Sequence, residues 1–308
     1  MQSHKYTLEP YSGMKTRYQC PSCEKKKVFT KYIDTHTKEY LNDAVGKCDR
    51  VIKCGYHYKP KQYFNNNNIP FDPPAIGKTH TIVEPKTKAS FINIEVMNKT
   101  MATKHPNYFI DYLTQLCGHQ ITNYLAGKYN IGTSNHWNGA SIFWQMDIEG
   151  RLRTGKIMLY NPSNGKRIKE PYNHINWMHK SLKLDNFSLE QCYFGEHLLN
   201  EDSSKPVAIV ESEKTAIISS VYLPEFIWMA CGGINNINKA KTEVLKGRDV
   251  VLFPDLKCYD LWNDKIPSLT KMATFRISTL LRDKATEAEK EQGLDIADYL
   301  VRLNPKIN

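Results

Sequence analysis

Three apolar runs, each ending at an acid or a glycine pair, constrain this chain most. Residues 206–210 read Pro-Val-Ala-Ile-Val and stop at Glu211-Ser212-Glu213. Residues 226–230 read Phe-Ile-Trp-Met-Ala and stop at Cys231-Gly232-Gly233, and residues 249–253 read Asp-Val-Val-Leu-Phe and stop at Pro254-Asp255. Apolar runs this short suit strands covered on both faces, and the stretches between them, AIISSVYL and NKAKTEVLKG, are helical in pattern. Strands alternating with helices give a parallel α/β sheet. Ligands collect at the carboxyl ends of such strands. Glu211, the Gly232-Gly233 turn and Asp255 therefore converge there. Hard carboxylate oxygens beside a glycine turn suit a Mg²⁺ ion acting on phosphates. Acids also follow strands simply because loops are polar, and the pattern alone leaves that open.

Four of the eight cysteines lie in the first 54 residues. Cys20-Pro-Ser-Cys23 is a CxxC knuckle, and Cys48 and Cys54 form a second pair with a longer spacer. Four thiolates enclose a tetrahedral Zn²⁺, the closed geometry of a structural site. Between the pairs, VFTKYID and KEYL alternate like the strands of a zinc ribbon. Four reduced cysteines in a small β-fold are the plainer account, but so small a unit with few large aliphatic residues needs a staple. Four thiolates suffice without His57, the alternative ligand. Tyrosines and lysines interleave here, which suits stacking on bases beside phosphates and equally suits an ordinary β-surface. The amino terminus carries no apolar signal core and no apolar run approaches ~18 residues, so a cytoplasmic protein with no membrane span is expected.

NNNNIPFDPP lacks periodicity and reads as a linker closing the first domain near residue 72. From Pro106 to about Asn130 the apolar spacing is helical, interrupted at Gly118. Residues 141–147 and 151–160 then alternate with period two around Gly150, a β-hairpin. Arg151, Arg153, Lys156, Lys166, Arg167 and Lys169 crowd into this hairpin and the segment after it. They form either a phosphate-binding face or a solvated one. Residues 1–72 carry 13 Lys/Arg against 7 Asp/Glu, residues 73–200 carry 14 against 9, and residues 201–308 carry 15 against 16. The basic excess thus falls in the first two-thirds, where a polyanion would bind. His174, His179 and His197 lack metal-ligand spacing, and His197 is expected to be structural.

The series IVESEKTA, ACGG, VVLFPD and GLDIADYL resembles the toprim domain of DNA primases, topoisomerases and related nucleases. It follows a cysteine ribbon, the order of bacterial-type primases. YLAGKYNIGT with SIFWQMDIEGRLRTGKIM is similar to the primase segment that precedes toprim. YQCPSC, GKCDRVIKCGYHYKPKQYF, CYFGEHLL and VESEKTAII look like primase-like toprim proteins of Bacteroides-type genomes and their mobile elements. The resemblance covers most of the chain. It implies an α+β multidomain protein: a zinc ribbon at 1–72, a linker at 73–90, a mixed α/β primase-like domain at 91–200, and a toprim domain with a parallel sheet at 201–308.

On that resemblance Glu211 is the toprim glutamate, a general acid/base or metal ligand, and Asp255 the first aspartate of the family's DxD. The second falls on Lys257, a departure, because an ammonium cannot bind Mg²⁺ and competes with it. Asp260 substitutes if its loop folds back. Asp295 and Asp298 match a later acidic motif, with Asp295 better placed, and Glu213 is a helper or points away. The implied activity is Mg²⁺- or Mn²⁺-dependent nucleotidyl transfer from nucleoside triphosphates on single-stranded DNA, in replication of a mobile element. Two alternatives remain: a degenerate module in which Lys257 fills the metal position of a DNA-binding or regulatory protein, and a toprim nuclease. No GxxxxGK[ST] motif occurs, so a helicase would be a separate partner.

Overall fold

The computed structural model describes residues 5–51, 53–67, 69 and 88–303. The chain divides into two compact units, Met1–Pro85 and Lys86–Asn308. Apart from residues 88–90, the linker expected at 73–90 lies outside the described residues. No described helix is long and apolar enough to cross a membrane.

In the first unit, β1 (Tyr6–Leu8), β2 (Phe29–Asp34), β3 (Gly46–Cys48) and β4 (His57–Tyr58) form an antiparallel sheet in chain order, followed by the helix α1 (Pro60–Asn66). Phe29 pairs with Cys48 across β2 and β3. A Cβ on Gly46 would lie 2.3 Å from the Thr30 carbonyl oxygen and 2.4 Å from the Phe29 ring, so this register admits glycine alone. The buried core is thin: Cys20, Phe29 and Cys48 cluster with Tyr18 and Tyr56 against them, and Ile33 and Val45 add to it. KEYL, expected as a strand, supplies only a single bridge, Ile33 to Tyr40. The chain turns too tightly for more: the Asp34 side chain accepts from the His36 and Thr37 N–H groups, and Lys38 takes φ 64°.

The second unit holds two sheets. β5 (Ile131–Ser134), β6 (Ala140–Met146), β7 (Leu152–Met158) and β8 (Ile175–Trp177) are antiparallel in chain order, and the expected hairpin is β6 with β7. Two helices precede this sheet, α2 (Ile94–Met101) and α3 (Tyr108–Lys128). α3 is kinked at Gly118, whose φ of 78° only glycine adopts freely. Asn107 caps α3 by accepting from the Ile110 N–H, and its amide also donates to Gly132 O and Thr133 Oγ1 and accepts from Ser141 Oγ.

The other sheet is parallel. β9 (Val207–Val210), β10 (Ile227–Ala230), β11 (Asp249–Leu252) and β12 (Thr274–Ile277) stand in the order β10-β9-β11-β12. The first three are the apolar runs read from sequence. β12 escaped that reading because, as an edge strand, it buries little beyond Phe275. One core runs from Phe109 and Leu113 of α3 through Phe143 and Tyr160 to Val207, Trp228, Leu252 and Ile296. The division expected at residue 200 therefore separates two sheets that share one core.

Buried beside that core is Glu196, 5% exposed, its carboxylate accepting from the Tyr193 and Ile148 N–H groups. Burial pushes its pKa up from 4.5 to about 7. Because the folded-state value lies above the unfolded one, its contribution to stability is full below about pH 4.5 and lost as pH rises through about 7. Glu196→Gln should flatten the pH dependence of the urea midpoint across that window. It should also lower the midpoint overall, since one backbone N–H would face an amide NH₂.

Candidate functional site

The four amino-terminal cysteines come together. The sulfurs of Cys20, Cys23, Cys48 and Cys54 all lie within 4.8 Å of one another, with Cys20 and Cys54 3.8 Å apart. The Lys25 backbone N–H, first among several donors, pulls the Cys23 thiol down to about 6, whereas burial pushes Cys48 up to about 12. Zinc displaces such protons on binding. His57 stands apart from the cluster, stacked on Tyr32 with Nε2 3.0 Å from the tyrosine hydroxyl. The donor set fits a structural zinc.

The second constellation sits at the carboxyl ends of the parallel strands. The sheet order reverses direction at β9, so the crevice between β9 and β11 is the topological switch point. Glu211 directly follows β9, and Asp255 follows β11 after Phe253-Pro254. On the far side of β9, Gly232 takes φ 77° and donates its N–H to the Glu211 carbonyl. Oxygens of Glu211 and Asp255 and the Cys258 sulfur lie within 4.8 Å of one another. The Cys258 thiol donates to Glu211 Oε2 at 3.6 Å. Burial raises the Glu211 pKa. Asp255 is held well above the usual carboxylate range, first by burial and then by the charges of Glu211, Asp295 and Asp298. Two acids whose negative charge is this poorly compensated fit a divalent cation.

Asp295 is set by neighbours rather than by the pair itself. Thr215 Oγ1 donates to Asp295 Oδ2 at 2.6 Å, and Asp295 and Asp298 each accept from the other's backbone N–H. Lys257 leaves the site: its ammonium donates to the Glu291 carbonyl and its stem lies beside Gly293. The lysine therefore does not fill the metal position. Asp260 is also elsewhere, exposed and 3.6 Å from Arg282, so the expected fold-back of its loop does not occur. Cys258 stands beside the acids instead. A single cysteine without metal-ligand spacing was passed over, and only its place three residues after Asp255 could have drawn attention to it.

The basic residues of the hairpin separate into three roles. Arg151 and Arg153 converge on Asp147 Oδ2 at 2.9 and 2.7 Å. Burial alone would raise that carboxyl, but the Arg151 N–H and the two guanidinium groups hold it below its usual range. Lys156 is buried, with its ammonium 3.0 and 3.1 Å from the two carboxylate oxygens of Glu213, the first residue of the helix α4 (Glu213–Tyr222). Glu213 thus points to β7 rather than to the acids. Lys166 and Arg167 are exposed, and the Arg167 charge helps offset the rise at Glu211. His197, expected to be structural, is half-buried and bonded through Nε2 to the Lys128 carbonyl.

Residues 107–256 match a family described as a domain of unknown function (DUF6371), and residues 4–69 match a zinc beta-ribbon finger family. No curated protein matches. Among solved structures, a DnaG primase catalytic domain bound to ssDNA is 13% identical over 69% of this chain and 81% of its own, at a TM-score of 0.43. The primase fragment of the bacteriophage T7 primase-helicase is 10% identical over 90% of this chain and 98% of its own, at 0.38. The zinc-binding and RNA polymerase domains of Aquifex aeolicus primase are 10% identical over 97% of this chain and 84% of their own, at 0.34. The zinc-ribbon match and the four-thiol cluster together support a structural zinc on Cys20, Cys23, Cys48 and Cys54.

Two outcomes follow. Protein purified without chelator should carry one zinc per chain by elemental analysis, and Cys48→Ser should release it and expose mainly the first unit to proteolysis. Lys156→Met should cost about 3–5 kcal/mol in chemical denaturation by stranding the Glu213 charge. Adding Glu213→Leu should recover most of that loss.

Proposed function

We propose that this chain is a primase-like DNA-binding protein that performs divalent-metal-dependent nucleotidyl transfer on single-stranded DNA. The setting would be replication of a mobile element. The observation that carries the reading is the convergence of Glu211 and Asp255 at the switch point of a parallel sheet. These two side chains would hold Mg²⁺ or Mn²⁺, which when bound spreads negative charge on a phosphoryl oxygen and lowers the barrier to in-line attack. Asp295, fixed by Thr215, adds negative potential at Asp255 without joining the pair. Arg167 and Lys166, exposed beyond β7, offer cations to the phosphates of the nucleotide or the strand. Arg151, Arg153 and Lys156 serve the fold instead, since each already holds a carboxylate. The turned-away Lys257 favours an active site over a degenerate one.

Primer synthesis on single-stranded DNA with labelled nucleotides, with and without Mg²⁺ or Mn²⁺, tests the reading. Product should require metal and fall to background in Glu211→Gln and Asp255→Asn, while Asp260→Asn should stay within about twofold of wild type. Absence of product with either ion, or full activity of Glu211→Gln, would refute it. Arg167→Ala with Lys166→Ala should weaken DNA binding and flatten its salt dependence, whereas Arg151→Ala should change stability more than binding.

A further inference from the structure

The thiol beside the two acids is a different kind of donor from the oxygens around it. We propose that Cys258 is the third ligand of the cation held by Glu211 and Asp255, and that it turns the site toward softer divalent ions such as Co²⁺ and away from Mg²⁺. This rests on the reading that Glu211 and Asp255 hold a divalent cation.

Cys258 is 1% exposed and unbridged, and its sulfur lies within 4.8 Å of an oxygen of each acid. Two other buried thiols behave differently. Cys117 donates to the Leu113 carbonyl at 3.0 Å and Cys231 to the Gly233 carbonyl at 3.3 Å, as structural cysteines do. Cys258 instead directs its S–H at a carboxylate, Glu211 Oε2. The two residues best placed in sequence to supply a further charge at this point are both engaged elsewhere, Lys257 at the Glu291 carbonyl and Asp260 at Arg282. Mg²⁺ demands oxygen ligands and keeps several waters, so a sulfur in its shell contributes little. Softer divalent ions gain from thiolate, and the same three donors then discriminate between them and Mg²⁺. When such an ion binds, a metal–sulfur bond forms and the S–H bond breaks heterolytically. The proton passes to solvent, and neither sulfur nor metal changes oxidation state.

The test uses the full chain with its ribbon loaded with zinc, and zinc content is measured before and after each titration. Co²⁺ is added and the near-ultraviolet thiolate-to-cobalt charge-transfer band is recorded, while Mn²⁺ and Mg²⁺ affinities are measured by calorimetry. Wild type should show the band and bind Co²⁺ about tenfold or more tighter than Mg²⁺, with the hard ion Mn²⁺ close to Mg²⁺. Cys258→Ser and Cys258→Ala should each lose the band and most of that preference while Mg²⁺ affinity stays level, and Cys258→Asp should tighten Mg²⁺. Glu211-dependent Mg²⁺ binding by wild type without a cobalt band, or a band that survives in Cys258→Ser, would overturn the assignment of Cys258 and leave the proposed function standing. Failure of wild type to bind any of the three ions beyond the ribbon zinc would remove the carboxylate site itself. Because the wild-type spectrum alone can defeat the proposal, it does not depend on how well the variants fold.

Discussion

The ion pair between Lys156 and Glu213 governs the second unit. Lys156 lies in the antiparallel sheet and Glu213 opens the helix that follows the first strand of the parallel sheet. Both are buried, so neither charge is stable without the other. The pair therefore holds the first turn of α4, capped by Ser212, against β7, and Glu211 lies two residues upstream of Glu213. The Lys156 ammonium also reaches the Gly232 carbonyl at 3.5 Å, which ties the turn after β10 to the same anchor. A buried pair of this kind adds little net stability over a packed apolar pair, and its effect is to specify one arrangement. Here that arrangement sets the segment carrying a candidate metal ligand.

The parallel sheet was legible because three of its four strands are continuous apolar runs, which few other structures tolerate. The acids at their carboxyl ends followed from the runs, whereas the strand order that makes a switch point came only with the structure. The hairpin was legible from its period of two. What the sequence hid is the direction of long side chains. Arg151, Arg153 and Lys156 crowd one hairpin strand and read as basic-surface candidates, yet each is held by a carboxylate, Asp147 or Glu213. Asp147 lies four residues from Arg151 and was near at hand, whereas Glu213 lies in a different sheet's helix and could not have been paired from spacing. Lys257 and Asp260 were hidden similarly, since their outcomes depend on Glu291 and Arg282, remote in sequence. Cys258 was passed over because isolated cysteines are mostly buried packing.

The first unit depends on a different kind of constraint. Its sheet is short-stranded, its helix buries no residue, and its buried apolar set among the described residues holds Phe29, Ile33, Val45 and two of the four cysteines. Apolar burial on that scale offsets little of the chain entropy lost on folding. Zinc would supply the difference, so this unit's stability follows metal supply while the second unit's follows side-chain packing. The two can respond separately to a chelator or to a core substitution.

Asn107 has a consequence for how the antiparallel sheet holds its alignment. Its amide makes four bonds, two donated to β5 and two accepted, from α3 and from Ser141 of β6. Two donors and two lone-pair directions are all that such a group offers. A slip of β5 by one residue would carry Gly132 and Thr133 out of reach together and turn buried Ile131 toward the opposite face. The residue thus works as a gauge: a chain that has closed α3 on Asn107 has, by the same atoms, measured the offset between the first two strands. Misaligned pairings are left with an unsatisfied amide, and the correct one is recognised from outside the sheet.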